Sequence, residues 1–366
     1  MSRRFFALVA LLAASTAGAQ DVTDISARLA PQFHSYKIDS PTNTTISEFA
    51  LPLYVLVPIT PRLSFDVGSS FTQAKVEQTG TTSISSTISG LTDTQIRGNL
   101  VLGNDLVVLT AGVNLPTGKS TVSPTERLAA GLIGSDFLAF PITNMGTGFG
   151  GTGGIGVAIP LNEDWNLGIG ASVRHSAQYD PFDLSGAQVL HYQPGNEYRG
   201  RIGLDHPVGT GRFTIGVTYS TFGDDNLGGS IYNTGNRYFA QLDYNNSLGP
   251  GRISVTGWNM LRTSGTLADS TTIGKEDVAS GTLAYGIPMG GVVLEPAVEG
   301  RSWSQPGAVR SYLGTFGVRL PFNVGGIAVV PSAGYSVGQL AAQTGSFGSQ
   351  SATLTGFHGT LAIRLR

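Results

Sequence analysis

The sequence has 366 residues, with 22 Lys and Arg against 24 Asp and Glu and no cysteine. That balance excludes a basic nucleic-acid surface, and the lack of any thiol excludes disulfides, thiolate metal sites and a lipoprotein anchor. Only 13% of residues are charged, against about 25% in an average soluble domain, and the 51 glycines are about twice the usual share, so an ordinary soluble surface fits poorly.

In chain order, Met1-Ser2-Arg3-Arg4 gives a positive start and Phe5 to Ala14 gives about ten apolar residues, the core of a secretory leader and too short for a spanning helix. Ala17-Gly18-Ala19 is a small-x-small site, so the expected leader is 1–19 and the exported chain 20–366. Loss of Arg3 and Arg4 leaves 20 basic against 24 acidic side chains, a net charge near −4. Beyond the leader no run of 18 apolar residues occurs without polar or glycine interruption. A chain that is apolar toward lipid without spanning helices must close a barrel, because only closure pairs every backbone group.

Period-2 alternation recurs along the rest of the chain. Trp165, Leu167, Ile169, Ala171 and Val173 share one face against Asn166, Gly168, Gly170, Ser172 and Arg174. Phe213, Ile215, Val217 and Tyr219 oppose Arg212, Thr214, Gly216 and Thr218, and Phe357, Leu361 and Ile363 oppose Gly356, His358 and Arg364. A soluble sandwich also alternates, so the connections decide. Short links near 60–62, 103–105, 162–164, 209–211, 248–251, 289–291 and 323–326 alternate with longer polar links near 38–44, 77–91, 117–148, 178–195, 223–234, 264–277, 304–310 and 341–350. Short turns at one rim and long loops at the other are the outer-membrane pattern.

The segments between links number sixteen, near 25–37, 45–59, 63–76, 92–102, 106–116, 149–161, 165–177, 196–207, 212–222, 235–246, 252–263, 278–288, 292–303, 311–321, 327–339 and 352–365. The predicted fold is therefore all-β, a transmembrane antiparallel up-and-down barrel of about sixteen strands, with fourteen or twelve as the other even counts that the boundaries allow. Aromatic residues such as Trp165, Tyr198, Phe213, Tyr219, Tyr238, Tyr244, Tyr285 and Tyr312 fall on the apolar phase, several near strand ends, as interfacial girdles do.

With the apolar face toward lipid, the other face lines a lumen of Gly, Ser and Thr with spaced charges. The candidate pore-lining residues are Arg174; Glu197, Arg199, Arg201 and Asp205; Arg212; Arg237 and Asp243; Arg252; and Glu295, Glu299 and Arg301. Two readings stand beside each other: facing ladders of opposite charge that sort solutes, or ions that pair with neighbours to stabilise the wall.

The longest link, 117–148, is the third extracellular loop, and it carries Leu128, Leu132, Phe137 and Phe140 with other apolar residues. A loop free in water would not favour so many, so it is expected to fold inward as a constriction, with an outward cap or subunit contact as the competing reading. The glycine run from Gly146 to Gly156 lacks a Walker lysine and reads as a strand beside a crowded lumen element. Of five histidines, His34 and His358 project inward on the first and last strands, which closure makes neighbours. No Gly-x-Ser-x-Gly motif and no His, Asp or Glu set with metal-ligand spacing accompanies them, so neither an enzyme nor a cofactor or metal is expected.

The stretch Gly90-Leu91-Thr92-Asp93, continuing to Leu115-Pro116-Thr117-Gly118-Lys119, resembles outer-membrane transporters of the phenol meta-pathway degradation type, over about thirty residues. Their pattern has glycine where Thr92 stands, and the chain ends at Arg366 rather than at an aromatic residue. The resemblance implies a barrel channel in the cell outer membrane, distantly like long-chain fatty-acid channels, that admits hydrophobic or aromatic compounds. The sequence thus predicts passive diffusion of small solutes, with outer-membrane lipid and the solutes as partners. A structural or adhesive barrel that binds partners through its loops is the alternative.

Overall fold

The computed structural model describes residues 25–39, 43–80, 83–103, 106–184, 189–341 and 351–365. The expected leader, Asn104 and Asp105 of one short turn, nearly all of the link 341–350, and Arg366 lie outside the described residues.

Sixteen antiparallel strands form one sheet. They are β1 (Ser26–Leu29 and Gln32–Ile38), β2 (Asn43–Thr60), β3 (Leu63–Thr79), β4 (Ile84–Leu91 and Thr94–Leu102), β5 (Val107–Leu115), β6 (Gly150–Pro160), β7 (Asn166–Ser176) and β8 (Glu197–Val208). There follow β9 (Gly211–Phe222), β10 (Arg237–Leu248), β11 (Gly251–Arg262), β12 (Glu276–Met289), β13 (Val292–Ser304), β14 (Ser311–Arg319 and Phe322–Val324), β15 (Ile327–Leu340) and β16 (Ala352–Leu365). The ring closes where β1 pairs with β16, setting Ala27 opposite Leu365 and His34 opposite His358. Among the described residues one short helix, α1 (Arg127–Ile133), lies in the longest loop. A small three-stranded sheet from Tyr192–Gln193, Asp225–Leu227 and Ser230–Tyr232 stands outside the ring.

Proline explains two of the interrupted strands. Pro31 in β1 and Pro321 in β14 cannot donate to a ladder, yet their carbonyls still accept from Leu361 and Val293. In β4 the interruption is Thr92-Asp93, where the Thr92 hydroxyl takes a ladder position by accepting the Ser70 amide at 2.8 Å. The short turns bend sharply, with Gly209 and Gly325 both at φ 58°, a left-handed conformation that costs glycine nothing.

The structure corrects one expected boundary. Much of the link placed at 77–91 is strand, since β3 runs on to Thr79 and Ile84–Leu91 pairs with Phe71–Gln78. Its hydroxyl-rich sequence reads as a loop, but its inner face is covered: the buried Ser86 hydroxyl donates to Thr125 O at 2.6 Å and accepts from Ala129 N–H at 3.1 Å beside α1.

The two faces of the wall differ as the alternation requires. Phe33, Phe71, Val113, Ile155, Ile169, Ile202, Ile215, Leu283, Phe316 and Phe357 are large, apolar and exposed, one band around the outside. At about 25 cal/mol per Å², such a belt is stable only against hydrocarbon. Tyr198, Tyr219, Tyr238 and Tyr312 lie near one edge of the belt, and Trp165, with His206 stacked on it at 4.3 Å, lies near the other. No helix among the described residues is long and apolar enough to cross a membrane; the strands do the crossing.

Candidate functional site

The site is built by the inner face and by the loop between β5 and β6. The neck of that loop is held by one carboxylate. Asp93 accepts the amides of Gly118 at 3.0 Å and Thr147 at 2.7 Å and the Asn114 side-chain amide at 2.9 Å, while its own amide donates to Met145 O at 3.0 Å. Gly118 has no alternative, because a Cβ there would lie 2.2 Å from Met145 O and 2.4 Å from the Asp93 nitrogen. Thr117 completes the clasp, its hydroxyl accepting Thr94 N–H at 2.8 Å.

From the neck, α1 packs against the inner face of β2, β3 and β4. A Lys119–Glu126 ion pair stiffens its approach, and Ser123 donates from both its amide, at 3.0 Å, and its hydroxyl, at 2.8 Å, to Glu126. Burial works to raise the Glu126 carboxyl, but Lys119 and Ser123 outweigh it and hold it below the usual range. The far end reaches β13, where Arg301 donates to Phe137 O at 2.8 Å. On the return, Phe140 meets Tyr36 of β1 edge-on at 5.5 Å, and Ile142 N–H donates to Glu48 of β2 at 2.9 Å. In a ring of sixteen strands β5 and β13 are diametrically opposed, so the loop crosses the barrel as a chord.

One side of that chord is filled. Phe137, Leu138, Phe140, Ile133 and Met145 are buried in a cluster with Tyr36, Ile46, Val76, Ile88, Met260, Val278, Trp303, Leu313, Leu340 and Leu354, which come from β1 to β4 and β11 to β16. Leu128 and Leu132 pack partly buried against it. None of its members lies on β5 to β9. The glycine-rich β6 therefore adjoins open space rather than the loop: a Cβ at Gly156, on the inner parity, would meet nothing within 4 Å. Outside, Tyr179 and Tyr192 exchange backbone hydrogen bonds and stack edge-on at 5.4 Å over Gly148, and burial pushes the Tyr179 phenol up to about 12.

Register places every pore-lining candidate on the inner parity. Arg199 pairs with Glu197 at 2.6 Å, Arg212 with Asp205, Arg301 with Glu299 at 2.6 Å, and Glu295 with Arg319 at 2.7 Å. Arg301 is 12% exposed beneath the loop, whereas Arg212 is 66% exposed. Among the described residues Arg174, Arg201, Arg237 and Arg252 have no carboxylate within ion-pair distance; Arg174 donates to Thr147 Oγ1 at 3.3 Å, Arg252 donates to Asn245 at 2.6 Å, and Arg237 lies over the Phe222 ring. Arg127 and Asp136 do not form a pair. Arg127 sits over Phe182, and Asp136 is raised by burial while Arg237 and Arg262 act to lower it.

Sequence reasoning missed several inner residues. Asp66 and Arg97, paired at 2.9 Å, share the inner parity and were findable from alternation. So were Phe239 and Trp258, stacked at 6.1 Å on the inner face of β10 and β11. Asp93 and Glu48 were not, since only the loop's path gives them partners. His34 and His358 do meet across the closure, with ring centroids 5.5 Å apart. His175 bonds Asn196 at 2.7 Å and His191 pairs with Asp180 at 2.6 Å. No group of three or more potential metal ligands occurs among the described residues.

A closed antiparallel ring with an apolar outer belt and a charged interior defines a transmembrane β-barrel. A family model described as outer membrane protein beta-barrel domain matches residues 5–192, and the chain belongs to that family and to the outer membrane. No curated protein sequence matches it. Among solved structures, an outer membrane channel from Pseudomonas putida F1 is similar at 12% identity and a TM-score of 0.41, covering 95% of this chain and 96% of that one. OpdQ from Pseudomonas aeruginosa is similar at 9% identity and 0.44, covering 94% and 99%, and an anion-selective porin from Comamonas acidovorans at 12% and 0.44, covering 94% and 100%.

Proposed function

We propose that the protein is a passive outer-membrane channel in which small solutes diffuse through the half of the barrel beside β5 to β9. The observation that supports this reading is the chord. The loop from Thr117 to Gly148 is anchored at Asp93, Glu48 and Arg301, and its apolar residues are spent on the other half of the wall. Leu128, Leu132, Phe137 and Phe140 then narrow the pore by holding the loop in place rather than by facing the solute. The uncovered wall is lined by Arg174, Glu197, Arg199, Arg201, Asp205 and Arg212, and its arginines outnumber its acids, so small anions are favoured over cations. Hydrophobic or aromatic solutes are the finer reading from the family resemblance; the stacked Phe239 and Trp258 on β10 and β11 pack against the filled cluster rather than lining the half beside β5 to β9.

Reconstitution tests the proposal. Purified protein should give stepwise conductance in planar bilayers and swell liposomes in small but not large sugars. Folded protein, recognised by heat-modifiable gel mobility, that conducts nothing would favour the surface-barrel reading instead.

A further inference from the structure

One rung runs unbroken through six strands, from β3 and β4 at the edge of the filled half across β5 to β8 of the uncovered wall. Register sets Asp66 opposite Arg97, Arg97 opposite Gly112, Gly112 opposite Thr152, Thr152 opposite Arg174 and Arg174 opposite Glu197. The two ends are internally neutral. Asp66 takes Arg97 at 2.9 Å, and Glu197, although it faces Arg174, is engaged by Arg199 at 2.6 Å. The middle is hollow because Gly112 and Thr152 reach only a short way inward, and the rung lines a half-open cavity of about 230 Å³.

Into that cavity Arg174 brings a guanidinium that no carboxylate of the described residues balances; its hydrogen bond is to the Thr147 hydroxyl at 3.3 Å. Gln95, Asn114 and Ser172 add neutral amide and hydroxyl groups to the lining. A surplus guanidinium wants a planar anion, which its fork binds with two donors, and the neutral groups want hydroxyls. The site also lies at the loop neck, since Asn114 bonds Asp93 and Thr147 bonds both Asp93 and Arg174.

We infer that this rung is a binding station for a small hydroxylated monocarboxylate, with the carboxylate on Arg174 and the hydroxyls on the amide and hydroxyl lining beside Gly112. It deepens the channel reading by naming a solute class. A station on a conduction path must release what it binds, so its affinity is weak, and a single unbalanced arginine is suited to that.

Gluconate is the probe, and glucose is its neutral counterpart. Saturation-transfer NMR on detergent-solubilised protein reads binding without relying on conduction. Wild type should bind gluconate and not glucose, and Arg174→Gln should weaken gluconate by roughly tenfold or more, as loss of a hydrogen bond to a charged group does. Thr152→Glu, which sets a carboxylate beside Arg174, should do the same with the guanidinium still present. Arg310→Gln, at an exposed position in the link between β13 and β14 and outside the cavity, should bind as wild type does. Gluconate binding that is absent from wild type, equal for glucose, or unaltered by both Arg174→Gln and Thr152→Glu in folded barrels would overturn the inference. Gluconate binding that is retained in a protein that conducts nothing would sink the channel reading and leave the station standing.

Discussion

The Asp93 carboxylate accepts the Gly118 amide at 3.0 Å and so ties the start of the long loop to the interruption in β4. The same group holds Thr147 at the other end of the loop, at 2.7 Å, so one side chain closes both ends of a thirty-residue excursion. Two motif fragments that read as a family signature, Gly90-Leu91-Thr92-Asp93 and Leu115-Pro116-Thr117-Gly118, are thereby the two halves of a clasp.

Replacing Asp93 by alanine leaves two backbone amides and the Asn114 amide without their acceptor, at about 1–3 kcal/mol for each group that stays buried. The barrel itself does not depend on them. Asp93→Ala and Gly118→Ala should therefore keep heat-modifiable mobility while the loop becomes cleavable by added protease between 118 and 147. A loop as resistant as wild type in both variants would show that the clasp is dispensable.

Deleting Arg127 to Asn144 removes the chord while sparing the clasp residues. Single-channel conductance should rise with assembly preserved. Conductance equal to that of wild type would mean that the loop does not restrict the path.

The outer belt makes a depth-dependent prediction. Ile169 is 46% exposed on the lipid-facing parity, and Gly170 is on the inner one. Lysine at 169 should cost roughly 2–4 kcal/mol of barrel stability in denaturant titrations from lipid vesicles, well above lysine at 170. Equal costs, or labelling of a cysteine at 169 but not at 170 by a membrane-impermeant thiol reagent, would reverse the assigned faces.

Replacing Arg199, Arg201 and Arg237 by glutamine removes three positive charges from the inner wall. The reversal potential across a salt gradient should move toward cations, more at low ionic strength than at high. An unchanged potential would assign these side chains to wall stability alone.

Asp136 on the loop gives a pH dependence. Burial raises its carboxyl above the ordinary value of 3.8, with Glu276 adding to the rise and Arg237 and Arg262 opposing it. A docked loop then binds this proton more tightly than an undocked one, so docking is strongest at acid pH and weakens as pH rises from 3.8 through the raised value. Protease protection of the loop should fall over that window in wild type, and Asp136→Asn should hold the acid-side protection throughout. A wild-type profile that is flat, or that rises with pH, would contradict the sign.

The sequence by itself determined the class and the inside-outside phase, and it narrowed the strand count to three even numbers with sixteen foremost. Strands have a side-chain period of two, and a membrane wall sorts polarity across that period with little exception, so Leu167 and Ile169 against Gly170 and Arg174 could be read without coordinates. Turn spacing added the even number. The hydroxyl-rich stretch from 83 to 91 was not legible, because its burial comes from α1, a segment about forty residues away. Only the tertiary structure decided which half of the barrel is filled. Apolar residues in a loop announce that it will bury them, but the direction was chosen by contacts remote in sequence: Phe137 with Arg301, Phe140 with Tyr36, and Ile142 with Glu48. For the same reason charges that look alike along the chain separate in space, Arg301 pinned beneath the loop and Arg174 left facing an open rung.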